Sequence, residues 1–262
     1  MGPTVDLVAD LGEGFGAYSM GDDKALLEIV SSANIACGFH AGDPDIMNAT
    51  VAECVRRGVS IGAHPSFPDL RGFGRRAMDL TADEVRNDIL YQVGALSAFA
   101  AYHGTGVAHL APHGRLGNLV ATRPDYAAAV ADASARINPD LIVLAQDGEL
   151  ADAAAVRQLP VAIVGIADRA YEADGTLVPR SRPGAVIHDP SAIVDRTIRM
   201  VCEGLIQTVA GTDLPIVADT VLLHGDTPGA VQLARQVRAE LERAGVRIAP
   251  VAQVLAAKVT AA

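Results

Sequence analysis

Four histidines recur in one kind of place. His40, His64, His113 and His224 each follow a short apolar run, and they are four of the seven histidines in the 262-residue chain. Asp10 and Asp168 follow two further runs of this kind. A histidine behind a strand most often braces a loop by hydrogen bonding, and neither His40 nor His64 has an evident packing role. Four in the same topological position point instead to one shared pocket. Asp10 and Glu13 lie close together in Asp10-Leu11-Gly12-Glu13-Gly14-Phe15-Gly16. They are a candidate general acid/base pair, because neighbouring carboxylates in a closed cleft titrate apart. The plainer reading is a loop cap at Asp10 and a solvated Glu13. Asp10, His40 and His64 together offer the mixed nitrogen and oxygen ligands that suit a divalent metal such as zinc or manganese. No HExxH pattern supports that trio locally.

Arginines supply a second chemistry. Arg75, Arg76 and Arg169 are candidates to clamp a carboxylate or phosphate. Against this, an exposed Arg75-Arg76 pair is commonly just surface, and Asp168-Arg169 reads equally well as a structural ion pair. Gly225-Asp226-Thr227-Pro228 places a helix start beside His224, which favours an anion. Neither glycine-rich loop is a GxGxxG or Walker motif, so no nucleotide site by those routes is indicated. Cys37 reads as a small buried residue rather than a nucleophile.

The elements that position these residues follow from apolar patterning. Short, nearly continuous apolar runs predict strands at 5–9, 32–36, 59–63, 107–111, 141–145, 160–166 and 220–223, with a return segment at 246–249. Helical spacing predicts helices at 22–30, 44–57, 81–102 and 124–137, after Asp147 and Asp189, from Thr227-Pro228 to 244, and at 251–258. Asp43-Pro44 is a good cap and first turn, and Thr81 with Glu84 forms a capping box. Two long loops, 65–80 and 170–189, stand out, and loops of that length are often functional.

Strands alternating with helices predict a parallel sheet covered on both faces. Six polar residues behind six different strands converge in a (β/α) barrel but not at the switch point of an open sheet. The expectation is an irregular α/β barrel occupying residues 1–262 as one domain.

The formal net charge of −10 argues against nucleic acid or an anionic membrane as the main partner. The first ten residues have no basic start or sustained apolar run, and no stretch reads as a membrane span. Three cysteines, Cys37, Cys54 and Cys202, without paired spacing fit a reduced, cytoplasmic protein.

Taken together, the blocks resemble the LamB/YcsF family. They are the Asp10–Gly16 loop, Asn34 through Pro44, Gly62-Ala63-His64-Pro65-Ser66, Gly72-Phe73-Gly74-Arg75-Arg76, Pro112-His113-Gly114, Ala167-Asp168-Arg169-Ala170-Tyr171 and His224-Gly225-Asp226. The resemblance implies a seven-stranded barrel like those of glycoside hydrolases and deacetylases. It implies ATP-dependent opening of the lactam 5-oxo-L-proline to L-glutamate, with two partner subunits. The matched motif positions make Asp10, Glu13, His40, His64 and His113 the expected catalytic residues. Asn34, Asp43, Arg75, Asp168, Arg169, His224 and Asp226 are the expected substrate-binding residues. Two other readings remain: a metal-dependent, deacetylase-type amide hydrolase, and a ligand-binding subunit without catalysis of its own. Val8, Ala111, Arg115, Gly117 and Val164 stand where the family usually has asparagine, lysine, alanine, tyrosine and glutamate.

Overall fold

The structure is a computed structural model that describes residues 2–225 and 229–261. Seven parallel strands close into a barrel: β1 (Thr4–Leu11), β2 (Ser32–Ala36), β3 (Ser60–His64), β4 (His109–Leu110), β5 (Ile142–Ala145), β6 (Val161–Ile166) and a strand at Thr220–Leu223. Two short strands precede that last one, β7 (Leu205–Gln207) and β8 (Asp213–Pro215), which form an antiparallel hairpin of their own. The closing strand is therefore β9, and it pairs with both β6 and β1. β10 (Arg247–Ile248) adds only to the start of β1.

The helices are α1 (Asp23–Leu26), α2 (Pro44–Arg57), α3 (Ala82–Tyr102), α4 (Gly114–Val120), α5 (Pro124–Ile137), α6 (Glu149–Val156), α7 (Pro190–Glu203), α8 (Ala230–Arg243) and α9 (Val251–Ala261). Their local signals are visible. Thr81 and Glu84 make both bonds of the capping box on α3. Asp43 caps α2, and Gly58 ends it in a left-handed conformation.

Side-chain alternation explains the layers. On β1, Leu7, Ala9 and Leu11 join the main core beneath the helices, whereas Val8 joins a separate cluster with Leu144, Val164 and Ile166. A period of two along a strand puts Asp6, Val8 and Asp10 on the same, lumen-facing side. Fully buried Leu26, Ile89 and Leu96 anchor α1 and α3 against the outer face of the sheet.

Three departures from the expected elements stand out. The helix expected over 22–30 is confined to Asp23–Leu26, because the chain must turn toward Ser32 and Val30 is already a buried core residue. α4 is an addition: it has no side-chain cap and contains glycines, so its sequence signal is weak. The β7–β8 hairpin is a second addition, in a stretch where three-residue strands leave no clear period. Among the described residues, no helix is long and apolar enough to cross a membrane.

Candidate active site

Parallel register sets the first residues in place. Asp10 on β1 pairs with Asn34 on β2, and Ala36 on β2 pairs with His64 on β3. Asp10 and His64 thus belong to the ends of strands rather than to the loops beyond them. The Asn34 Nδ2 donates to Asp10 Oδ1 at 2.9 Å, and His64 Nε2 lies 3.2 Å from the same oxygen. Behind Asn34, the Nε2 of His109 lies 3.0 Å from its Oδ1. Amide oxygens only accept, so His109 donates there and the amide of Asn34 is held with its N–H toward Asp10. Gly62 makes room for that ring, since a Cβ there would lie 2.0 Å from His109 Nε2.

His64 and His113 have defined tautomers for the same reason. His64 Nδ1 donates to the Ala111 carbonyl at 2.6 Å, and His113 Nε2 donates to the Phe73 carbonyl at 2.9 Å. Their remaining nitrogens, His64 Nε2 and His113 Nδ1, face each other at 3.0 Å. Glu13 Oε1 lies 3.5 Å from His113 Nδ1 and 3.2 Å from His40 Nε2. His40 stacks on His113 with ring centroids 3.9 Å apart, and its Nδ1 is buried without a partner. In neutral rings these inward nitrogens are lone pairs beside two carboxylates, so the array needs a shared cation. A divalent metal meets that need.

Glu13, His40, His64 and His113 each offer one ligand atom, all within 4.8 Å of one another. Three imidazoles and a carboxylate fit zinc or manganese chemically. The expected trio Asp10, His40 and His64 is therefore redrawn: Glu13 and His113 complete the cluster, and Asp10 touches it through His64.

Burial sets the electrostatics. It pushes His113 down to about 3, helped by the charge of His64, and it holds His40 well below its ordinary range. Burial alone would raise Asp10, but the charge and hydrogen bond of His64, with His224 and His113 beyond, hold that carboxyl well below normal.

The expectation that these histidines have no packing role is corrected. His40 is fully buried, sits edge-on to Phe73, and packs beneath the loop at Gly74. Gly74 has φ +64°, and a Cβ there would meet Ser66 Oγ at 2.3 Å and His40 Cβ at 2.9 Å.

A second group stands elsewhere around the barrel mouth. His224 Nδ1 donates to both carboxylate oxygens of Asp168, at 2.8 and 2.9 Å. Burial disfavours the His224 cation, but Asp168 and Asp10 outweigh it and raise the group. Arg180 Nη2 donates to His224 Nε2 at 3.2 Å. Arg169 is buried; its Nε donates to the Ala185 carbonyl and its Nη2 to the Val178 carbonyl. Burial and then the charge of Arg180 depress it to about 10.

A cavity of about 520 Å³ opens between these groups, and Asp10, Asn34, His64, Arg75, His113, Arg169 and His224 all line it. Glu13 and His40 sit behind His64 and His113, and Asp168 sits behind His224. Asp43 is not at the cavity: its carboxylate accepts from the backbone N–H groups of Ile46, Gly16 and Asp45, which hold it below its ordinary range. Its role is to cap α2 and tie down the β1–α1 loop. Arg76 is likewise committed, to Asp69. Arg169 gives its Nε and Nη2 to carbonyls of the 170–189 loop, so it anchors that loop as well as lining the cavity. Asp226 lies outside the described residues. His109 and Arg180 are site residues that sequence reasoning missed. His109 is hidden inside a strand run, and Arg180 lies in a long loop without a motif.

The LamB/YcsF family profile matches residues 5–256. The chain is 51% identical over 251 residues to the 5-oxoprolinase A subunit of Azorhizobium caulinodans, covering 95% of this chain and 99% of that one. It is 51% identical over 245 residues to the 5-oxoprolinase A subunit of Mycolicibacterium paratuberculosis, covering 93% and 97%. Among solved structures, it matches a lactam utilization protein from Thermus thermophilus with TM-score 0.89 and 42% identity, over 94% of this chain and 99% of that one. The peptidoglycan deacetylase PdaC of Bacillus subtilis matches with TM-score 0.50 and 11% identity, over 99% and 95%, a likeness of fold alone.

Proposed function

The chain belongs to the LamB/YcsF family, and from that premise we propose that it is the A subunit of an ATP-dependent 5-oxoprolinase, a cyclic amide hydrolase that opens 5-oxo-L-proline to L-glutamate. The observation that carries this reading is the buried Asp10–His64–His113–Glu13 array opening into one cavity at the carboxyl ends of the strands. Identity of about one half, across nearly the whole of both chains, to proteins of that name supports it.

Hydrolysis of a lactam needs a base for water, a site for the developing oxyanion and an acid for the leaving nitrogen. Asp10 lines the cavity, and Asp10 Oδ1 with His64 Nε2 forms one shared proton site. Water attacks the ring carbonyl carbon as its proton passes to this pair. The pair then returns the proton to the ring nitrogen as the carbon–nitrogen bond breaks. Asn34 holds Asp10 in register. Arg75 at the cavity wall meets the substrate carboxylate or the oxyanion. Should Glu13, His40, His64 and His113 hold a divalent cation, it would supply Lewis-acid polarisation and occupy His64 Nε2, leaving the proton to Asp10.

A lactam carbonyl is a poor electrophile, and no phosphate-binding loop is recognisable in the sequence, so ATP acts through two partner subunits. The test mixes the chain with its two candidate partners and follows ATP-dependent glutamate formation, omitting each component in turn. The expected result is turnover by the full mixture and little or none by the chain alone. Robust turnover by the chain alone removes the partner requirement, and no glutamate from any mixture removes the activity.

A further inference from the structure

The floor of the cavity is apolar. Val8 projects from the same face of β1 as Asp10, two residues earlier, and is fully buried. It clusters with Ala111, Leu144, Val164 and Ile166 from three other strands' ends, and all five line the cavity that Asp10 enters. The same cavity is also lined by Arg75, Arg115 and Arg180. A molecule with its amide at Asp10 therefore lies on a hydrocarbon surface within reach of guanidinium groups.

Size points the same way. A cavity of about 520 Å³ falls in the range of about 300–1,000 Å³ that encloses ligands of several rings or chains. 5-Oxo-L-proline is one five-membered ring with one carboxylate, and it leaves most of that floor in contact with water. An apolar substituent on the ring would displace that water, and apolar burial is favourable in proportion to area. A second polar group placed there would lose its hydration without gaining a partner.

We infer that this cavity selects a cyclic amide bearing an apolar substituent in addition to its anionic group, in preference to bare 5-oxo-L-proline. The inference rests on the reading of the site as that of a lactam hydrolase. The carboxylate lies toward the arginines, the amide at Asp10 and His64, and the alkyl or aryl group on Val8, Leu144 and Val164.

The test compares 5-oxo-L-proline with 4-butyl-5-oxo-L-proline. Both are titrated calorimetrically into the full chain, and both are given with ATP to the chain plus its partners. The butyl compound is expected to bind at least tenfold more tightly and to show at least tenfold higher kcat/KM. Val164→Thr, which puts a hydroxyl on the floor at nearly constant volume, is expected to reduce that preference several-fold, with a smaller change in the constants for 5-oxo-L-proline. Equal or better binding of 5-oxo-L-proline overturns the inference, as does failure of the chain to bind the butyl compound. Tight binding of the butyl compound with no turnover of either lactam upholds the cavity's preference and defeats the hydrolase reading. Turnover of 5-oxo-L-proline with equal constants for both compounds does the reverse.

Discussion

His109 shows how a residue away from the cavity can govern one inside it. Its Nε2 proton fixes the Asn34 amide, and the Asn34 N–H in turn faces Asp10. Without that donor the amide is free to turn its oxygen toward the Asp10 carboxylate, which would repel it. On the proposed activity, replacing His109 by Phe should lower kcat by about 10–100-fold, the scale at which partners of active groups act. His109→Gln, which keeps a donor, should restore part of the loss. Kinetics alongside thermal melting decide the matter: unchanged kcat per folded molecule would leave His109 as packing only. Little in the sequence signals this chain of contacts. Its members lie 24 and 75 positions apart, and His109 sits inside a strand run, where a histidine reads as core.

At the scale of elements, the 170–189 loop is held over the cavity by Arg169, whose guanidinium binds two carbonyls from different parts of the loop. This brings Leu177 and Arg180 to the cavity. A lysine is a single point donor and cannot span both carbonyls. Arg169→Lys should therefore loosen the loop without unfolding the barrel. One lost hydrogen bond from a charged group is worth about 1.5–3 kcal/mol, so hydrogen exchange of loop amides should quicken by about tenfold or more. The test is amide exchange read by mass spectrometry; unchanged protection across the loop would contradict this role. The length of the loop is legible as a sign of function, but its anchoring is not, because Arg169 resembles any surface cation until burial is known.

For the whole molecule, the barrel seam carries a buried acid. Asp6 is fully buried and accepts from Ser31 just before β2, from Ser32 on β2 and from Thr220 on β9. Burial raises it from its ordinary 3.8 to about 6, although the three hydroxyls work the other way. A carboxyl raised on folding binds its proton more tightly in the folded state. The cost is absent below pH 3.8, grows as pH rises through the interval, and is complete above about pH 6. A shift from 3.8 to about 6 corresponds to about 3 kcal/mol. Relative to wild type, Asp6→Asn should therefore gain up to about 3 kcal/mol of stability between those limits. Denaturant unfolding of both proteins across the range checks this, and a pH-independent difference between them would rule it out.

Much of the architecture was determined by the sequence itself. Short apolar runs separated by helical spacing, with the Asp43-Pro44 and Thr81–Glu84 caps, specify parallel strands wrapped by helices, because those preferences act over a few residues. Placing Asp10, His64, His113 and His224 at the ends of different parallel strands also sufficed to bring them to one face, since parallel register carries strand ends together. Tertiary structure alone decided the rest. It moved Asp43 from the pocket to a cap, exchanged Asp10 for Glu13 and His113 in the metal-capable cluster, and put Val8 beneath Asp10. Those outcomes depend on which side chains meet across the closed barrel. Such meetings involve residues far apart in the chain, and no local pattern encodes the distances between them.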